Sequence, residues 1–114
     1  MRAVVMESRG GPEVLKITEV PDPVPGPKEV RLRVKAVALN HLDLWVRKGV
    51  ASPRLVLPHI LGADVAGVVE SVGPGVTGVS PGDEVVVNPG LSCGRCERCL
   101  SGQDNLCPRY EILG

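Results

Sequence analysis

The sequence predicts a mainly β domain: a partly open β-barrel, or two sheets, with a short helix and a lobe at the end. Three observations carry that prediction. The 114 residues include 14 Gly and 11 Pro, and valine is the commonest residue; such a composition favours short strands and many turns over long helices. Apolar residues alternate with polar ones in several short runs, the period of a half-buried strand. All four cysteines fall in one polar segment near the end, too poor in apolar residues to form a core of its own. A chain of this length makes one domain and buries roughly two-thirds of its unfolded surface.

Residues Arg2–Glu7 read as the first strand and Val14–Val20 as the second, joined by a turn holding Gly10, Gly11 and Pro12. Pro21–Glu29 is proline-rich, and its fixed dihedrals make it a stiff extended connector. Glu29–Leu39 is the cleanest strand. Val30, Leu32, Val34 and Ala36 alternate with Arg31, Arg33 and Lys35, so the basic residues form a solvated face or a phosphate patch. Asn40–Lys48 has helical signals: Asn40 as N-cap, Asp43 in the first turn, Arg47 and Lys48 at the end, Gly49 as stop. Trp45 on that helix reads as a packing residue. Asp64–Val72 is apolar and β-branched, hence a buried strand, and Asp83–Asn88 is another. Pro89–Tyr110 is the cysteine lobe. His59, after Pro58, falls in a loop and is not expected to be a ligand.

Lys+Arg and Asp+Glu are 13 each, so net charge is zero, and aromatics are 2%. A nucleic-acid binder would need a basic field or stacking platforms, and neither is present. No apolar run reaches the roughly 20 residues of a membrane-spanning helix. The opening MRAVVMESRGG lacks the pattern of an export signal. A cytoplasmic protein acting on small molecules, without nucleic acid or membrane, is the expectation.

The cysteines are Cys93, Cys96, Cys99 and Cys107, a C-x2-C-x2-C-x7-C pattern. Two-residue gaps let a turn point successive thiolates at one centre, and the longer gap brings the fourth from the other side. Zinc takes four such ligands as a tetrahedron, and four thiolates leave no open position, so the site is structural. Arg95, Arg98 and Arg109 lie close enough in sequence to offset its excess negative charge, and Gly90, Gly94 and Gly102 let the loop pass near the metal. Three readings compete, of which unligated cysteines do not suit so tight a cluster. Two disulfides would suit an exported protein. An iron–sulfur cluster shares the C-x2-C-x2-C start and the Cys107-Pro108 ending, but its usual run has three residues before the last Cys.

Gly73-Pro74-Gly75-Val76-Thr77-Gly78 matches G-x-G-x-x-G literally. A dinucleotide fingerprint needs a helix to begin there. Val79-Ser80-Pro81-Gly82-Asp83 leads into a strand instead, so these glycines read as hairpin punctuation.

Taken together, MRAVV, ITEVPDPVPGPKEVRLRVKAVALNHLDL, LPHILGADVAGVVESVGPGV, PGDEVVVNPG and CGRCERCLSGQDNLC resemble the N-terminal GroES-like domain of the zinc-containing alcohol dehydrogenase, or medium-chain dehydrogenase/reductase, superfamily. The resemblance runs the length of the chain. It implies a GroES-like partly open β-barrel over residues 1–114 with short helices and a zinc lobe at 89–110. It also implies one structural Zn²⁺ per chain, NAD(H) or NADP(H) held mainly by a Rossmann domain downstream, and a homo-oligomer, dimer or tetramer. The GroES-like label concerns fold alone.

Relatives with a catalytic zinc carry Cys where this chain has Asn40, Ser or Thr where it has Leu42, and His-Glu where it has Ala63-Asp64. Alanine cannot ligate a metal, leucine cannot pass a proton, and an amide is a poor zinc ligand. Asn40 and Asp43, followed by Arg47 and Gly49, look like the zinc-independent quinone-oxidoreductase and enoyl-reductase branch. The resemblance therefore implies hydride transfer between nicotinamide and a quinone, enone, aldehyde or alcohol. Asn40, Asp43 and Asp64 are its candidate catalytic residues and His41 its candidate cofactor-phosphate contact. Each has a plainer reading: Asn40 and Asp43 as helix-start residues, His41 as a surface residue, Asp64 as a structural hydrogen-bonder. An alcohol dehydrogenase with an altered metal site, drawing on Asp64, His41 or His59, and a stand-alone zinc-stabilised interaction domain are the alternatives.

Overall fold

A computed structural model describes residues 1–51 and 55–114. Strand β1 (Arg2–Met6) lies between β2 (Leu15–Glu19) and β4 (His59–Ile60) in one antiparallel sheet. Strand β5 (Asp64–Val72) lies between β3 (Val30–Ala38) and β6 (Glu84–Val86) in a second. The two sheets stay open, as the sequence predicts. Helix α1 (His41–Lys48) follows β3, and the hairpin of β7 (Gly90–Leu91) and β8 (Glu111–Ile112) carries the lobe between its strands. Within the lobe are helix α2 (Glu97–Leu100) and a 3-10 turn at Asp104–Leu106.

The predicted elements are found with shorter ends. Val14 belongs to a 3-10 turn over Pro12–Val14, where Pro12 takes the first helical position and needs no N–H partner. The Gly10 N–H donates to the Arg47 carbonyl at 2.9 Å, docking this turn onto the end of α1. Pro21–Glu29 forms no strand, and the Arg31 guanidinium donates to the Pro23 carbonyl at 3.3 Å.

Three expectations need correction. The β3–β5 ladder shifts register twice, with Glu70 of β5 as the extra residue opposite Arg31 and Leu32, and Lys35 of β3 as the extra residue between Val34 and Ala36. The second shift breaks the strict alternation of β3, since a bulge moves later side chains to the other face. Arg31 is no part of a phosphate patch: its Nε lies 2.8 Å from Glu70 on β5, an ion pair across the ladder. His59 sits in β4 opposite Met6 rather than in a loop.

The core is small. Val5, Met6, Val46, Val69 and Cys107 are its buried apolar side chains, with Met6 fully enclosed. Of β5, read as buried, only Gly67 and Val69 are fully so. Elsewhere β3 and its exit leave Val34, Val37 and Leu39 largely exposed.

Gly73 closes the end of β5 against the proline-rich connector. Its N–H donates to the Glu29 carbonyl and the Lys28 N–H to the Pro74 carbonyl, both at 2.8 Å. A β-carbon at Gly73 would overlap the Gly26 carbonyl oxygen. Gly73→Ala must therefore push two backbone segments apart and is expected to cost about 2–3 kcal/mol. A thermal melt checks this; an unchanged midpoint contradicts it.

Candidate metal centre and adjoining cleft

The four cysteines converge as their spacing predicts. Their Sγ atoms all lie within 4.8 Å of one another, with Cys96 3.4 Å and Cys93 3.9 Å from Cys99. A tetrahedron with Zn–S bonds of about 2.3 Å sets its sulfurs about 3.8 Å apart. The donor set and its spacing fit a zinc ion. Cys107 is buried and the other three are half-buried. The Cys107 sulfur accepts the backbone N–H of Cys93 at 3.5 Å and of Arg109 at 3.4 Å, so the chain's own donors orient it.

The electrostatics of the quartet call for a cation. The Arg95 backbone N–H, helped by the Arg109 side chain, holds the Cys93 thiol down at about 5 against desolvation. The Cys99 backbone N–H favours a thiolate at Cys96 too, but desolvation and the neighbouring sulfurs outweigh it and push Cys96 up to about 11. The Cys99 thiol is lowered despite desolvation, by hydrogen bonds from Cys96 and other neighbours, so two of the four favour the thiolate form in which a divalent ion is bound. Of the three arginines expected nearby, Arg95 acts through its backbone and Arg109 through its side chain. Arg98 donates to Gln103 at 2.8 Å instead. Gly94 has φ +68 with open space around its missing β-carbon. Its value is therefore the left-handed turn, not the close approach read from sequence.

A cleft of about 760 Å³ lies beside the lobe. Asn40, Asp43 and Asp64 all line it, and so do Leu42 and Ala63. Apolar side chains such as Val46 and Leu61 cover much of the rest. Asn40 Nδ2 donates to Asp64 Oδ2 at 2.7 Å. Asn40 is also the N-cap of α1, as predicted, with Gly49 at φ +79 closing the other end. Asp43 is 8% exposed. Its Oδ2 accepts the Asn40 backbone N–H at 2.7 Å and its Oδ1 the Gly62 N–H at 2.8 Å. Both oxygens serve backbone donors, so Asp43 clamps the start of α1 to the segment between β4 and β5.

The histidines stand apart from this arrangement. His41 is exposed, its ring edge-on to Trp45 at 5.9 Å. Trp45 is 50% exposed rather than packed away. Desolvation lowers the His59 pKa, against the pull of Asp43. Gly73–Gly78 turns between β5 and β6 and opens no helix, so it offers no dinucleotide phosphate site. Among the described residues no helix is long and apolar enough to cross a membrane.

Sequence reasoning missed the far wall of the cleft. Tyr110, Glu111 and Ile112 line it, presented by the lobe's outgoing strand. Their only sequence signal is their place just after Cys107.

These features have counterparts in known proteins. The profile of the alcohol dehydrogenase GroES-like domain matches residues 26–114, and the chain belongs to that family. An alcohol dehydrogenase of Schizosaccharomyces pombe is 39% identical over 98% of this chain and 32% of its own length. A quinone oxidoreductase of Mus musculus is 39% identical over 99% of this chain and 34% of its own. Among solved structures, an NAD-dependent alcohol dehydrogenase superposes with a TM-score of 0.96 at 76% identity, covering all of this chain and 33% of that one. A cobalt- and zinc-bound thermostable alcohol dehydrogenase from Pyrobaculum aerophilum reaches 0.87 at 49% identity, covering 96% of this chain and 32% of that one. The chain thus spans about a third of the relatives it matches.

Proposed function

We propose that this chain is the N-terminal part of an NAD(P)(H)-dependent medium-chain oxidoreductase that moves hydride between nicotinamide and a quinone, enone, aldehyde or alcohol, with one structural zinc on Cys93, Cys96, Cys99 and Cys107 and no catalytic metal. The observation that carries it is the Asn40–Asp64 hydrogen bond in a cleft also lined by Leu42 and Ala63. Neither thiol nor imidazole lines the cleft among the described residues. An ionised carboxylate only accepts hydrogen bonds, so Asp64 fixes which end of the Asn40 side chain is the amide nitrogen. The second N–H of that nitrogen is then free to donate to a carbonyl oxygen, where negative charge grows as the carbon is reduced. Asp43 is a positioning residue that holds Asn40 in place. Bound nicotinamide supplies the hydride, and a domain beyond this chain holds most of it, with His41 reaching toward a cofactor phosphate. A cytoplasmic homo-oligomer completes the proposal.

The cobalt- and zinc-bound relative supports a second reading, an alcohol dehydrogenase with an altered catalytic metal site that includes Asp64. Asn40→Ala in the full-length enzyme separates the two. The account expects kcat/KM to fall about 100-fold, the cost of losing one oxyanion donor, while zinc stays at one per chain. Unchanged kcat/KM, or loss of a second metal, contradicts it.

A further inference from the structure

Resting on the hydride-transfer reading, we propose that the cleft sorts carbonyl substrates by charge: apolar neutral or cationic compounds enter, carboxylates are refused, and Glu111 is the residue that sets the sign.

The lining is apolar with three acidic side chains, Asp43, Asp64 and Glu111, and holds no lysine, arginine or histidine among the described residues. The acids are not equivalent. Asp43 gives both oxygens to backbone N–H groups, which offset its charge. Asp64 accepts from Asn40. The Glu111 side chain has no hydrogen bond or ion pair to another described residue and is exposed, so water alone offsets its charge. A substrate carboxylate in this cleft would find no cation to replace its lost water, and burying an unpaired charge is costly. A neutral aldehyde or ketone pays neither penalty.

The metal lobe holds Glu111 in place. It sits on β8 opposite Leu91 of β7. The preceding Tyr110 donates its N–H to the carbonyl of the metal ligand Cys107 at 2.9 Å. The zinc site therefore anchors a wall of the substrate cleft.

The test uses the full-length enzyme with NADH or NADPH as hydride donor, water supplying the proton, and three matched aldehydes: 4-methylbenzaldehyde, 4-carboxybenzaldehyde and 4-(trimethylammonio)benzaldehyde. The neutral and cationic aldehydes are expected to exceed the carboxylate about fivefold in kcat/KM, the scale of one solvated like charge at close range. Glu111→Gln should narrow that ratio severalfold, and Glu111→Lys should bring it to unity or invert it. Equal use of all three aldehydes, or a ratio that neither variant moves, overturns the charge selection alone. Reduction of none of the three aldehydes overturns this inference; the hydride-transfer reading falls only if no quinone or enone is reduced either.

Discussion

Cys107→Ser is expected to take bound zinc from one ion per chain to nearly none at micromolar metal. It removes the buried corner of the quartet and the sulfur on which two backbone N–H groups converge. Zinc held by four protein ligands contributes about 10–16 kcal/mol in small folded units, and the lobe has little else. Cys107 is its one fully buried apolar residue. Hydrogen exchange should speed up throughout the lobe and in the β7–β8 hairpin. The ladders of β1 with β2 and of β3 with β5 do not pass through the metal, so the circular dichroism of the two sheets should persist. A strong chelator on the unaltered chain should give the same pattern. Loss of sheet signal together with the lobe would contradict a locally acting zinc, and full zinc retention would contradict the ligand assignment.

The second large effect is at Asp43. Asp43→Ala strips the acceptors from the N–H groups of Asn40 and Gly62 in a partly buried setting. Each orphaned donor costs about 1–3 kcal/mol, so urea unfolding should show a loss of about 3 kcal/mol. Asp43→Asn, which keeps one accepting oxygen, should fall between. In the full-length enzyme, Asp43→Asn should also lower kcat more than it raises KM, because a shifted Asn40 still admits substrate but misdirects its N–H. A loss below about 1 kcal/mol for the alanine variant would make Asp43 a mere first-turn acid.

The parts legible in the sequence depend on local chemistry. Thiols spaced two residues apart can only cluster, and Asn40 with Asp43 before an apolar run announces a helix start. The hairpin at Gly73–Gly78 was legible because Pro81 and Gly82 forbid a helix after it. What stayed hidden depends on partners distant in sequence. Asn40 meets Asp64 only because β3 and β5 pair along their length, ending at Ala38 with Asp64. Strand β4 has two residues, too few to show a period. The irregularity at Lys35 leaves no trace in a run that alternates perfectly on paper. Nothing local reveals the Gly62 N–H that takes the second oxygen of Asp43. Glu111 carries no sequence signal of its own, and only the β7–β8 pairing brings it to the cleft that Asn40 lines.

X-ray absorption and anomalous diffraction at the zinc edge, on the full-length enzyme purified without added metal, test the central claim most directly. The account predicts one zinc per chain, bound by four sulfurs at Cys93, Cys96, Cys99 and Cys107, and no anomalous peak between Asn40 and Asp64. A peak in that cleft, or a sulfur quartet joined as disulfides with no metal, would contradict it.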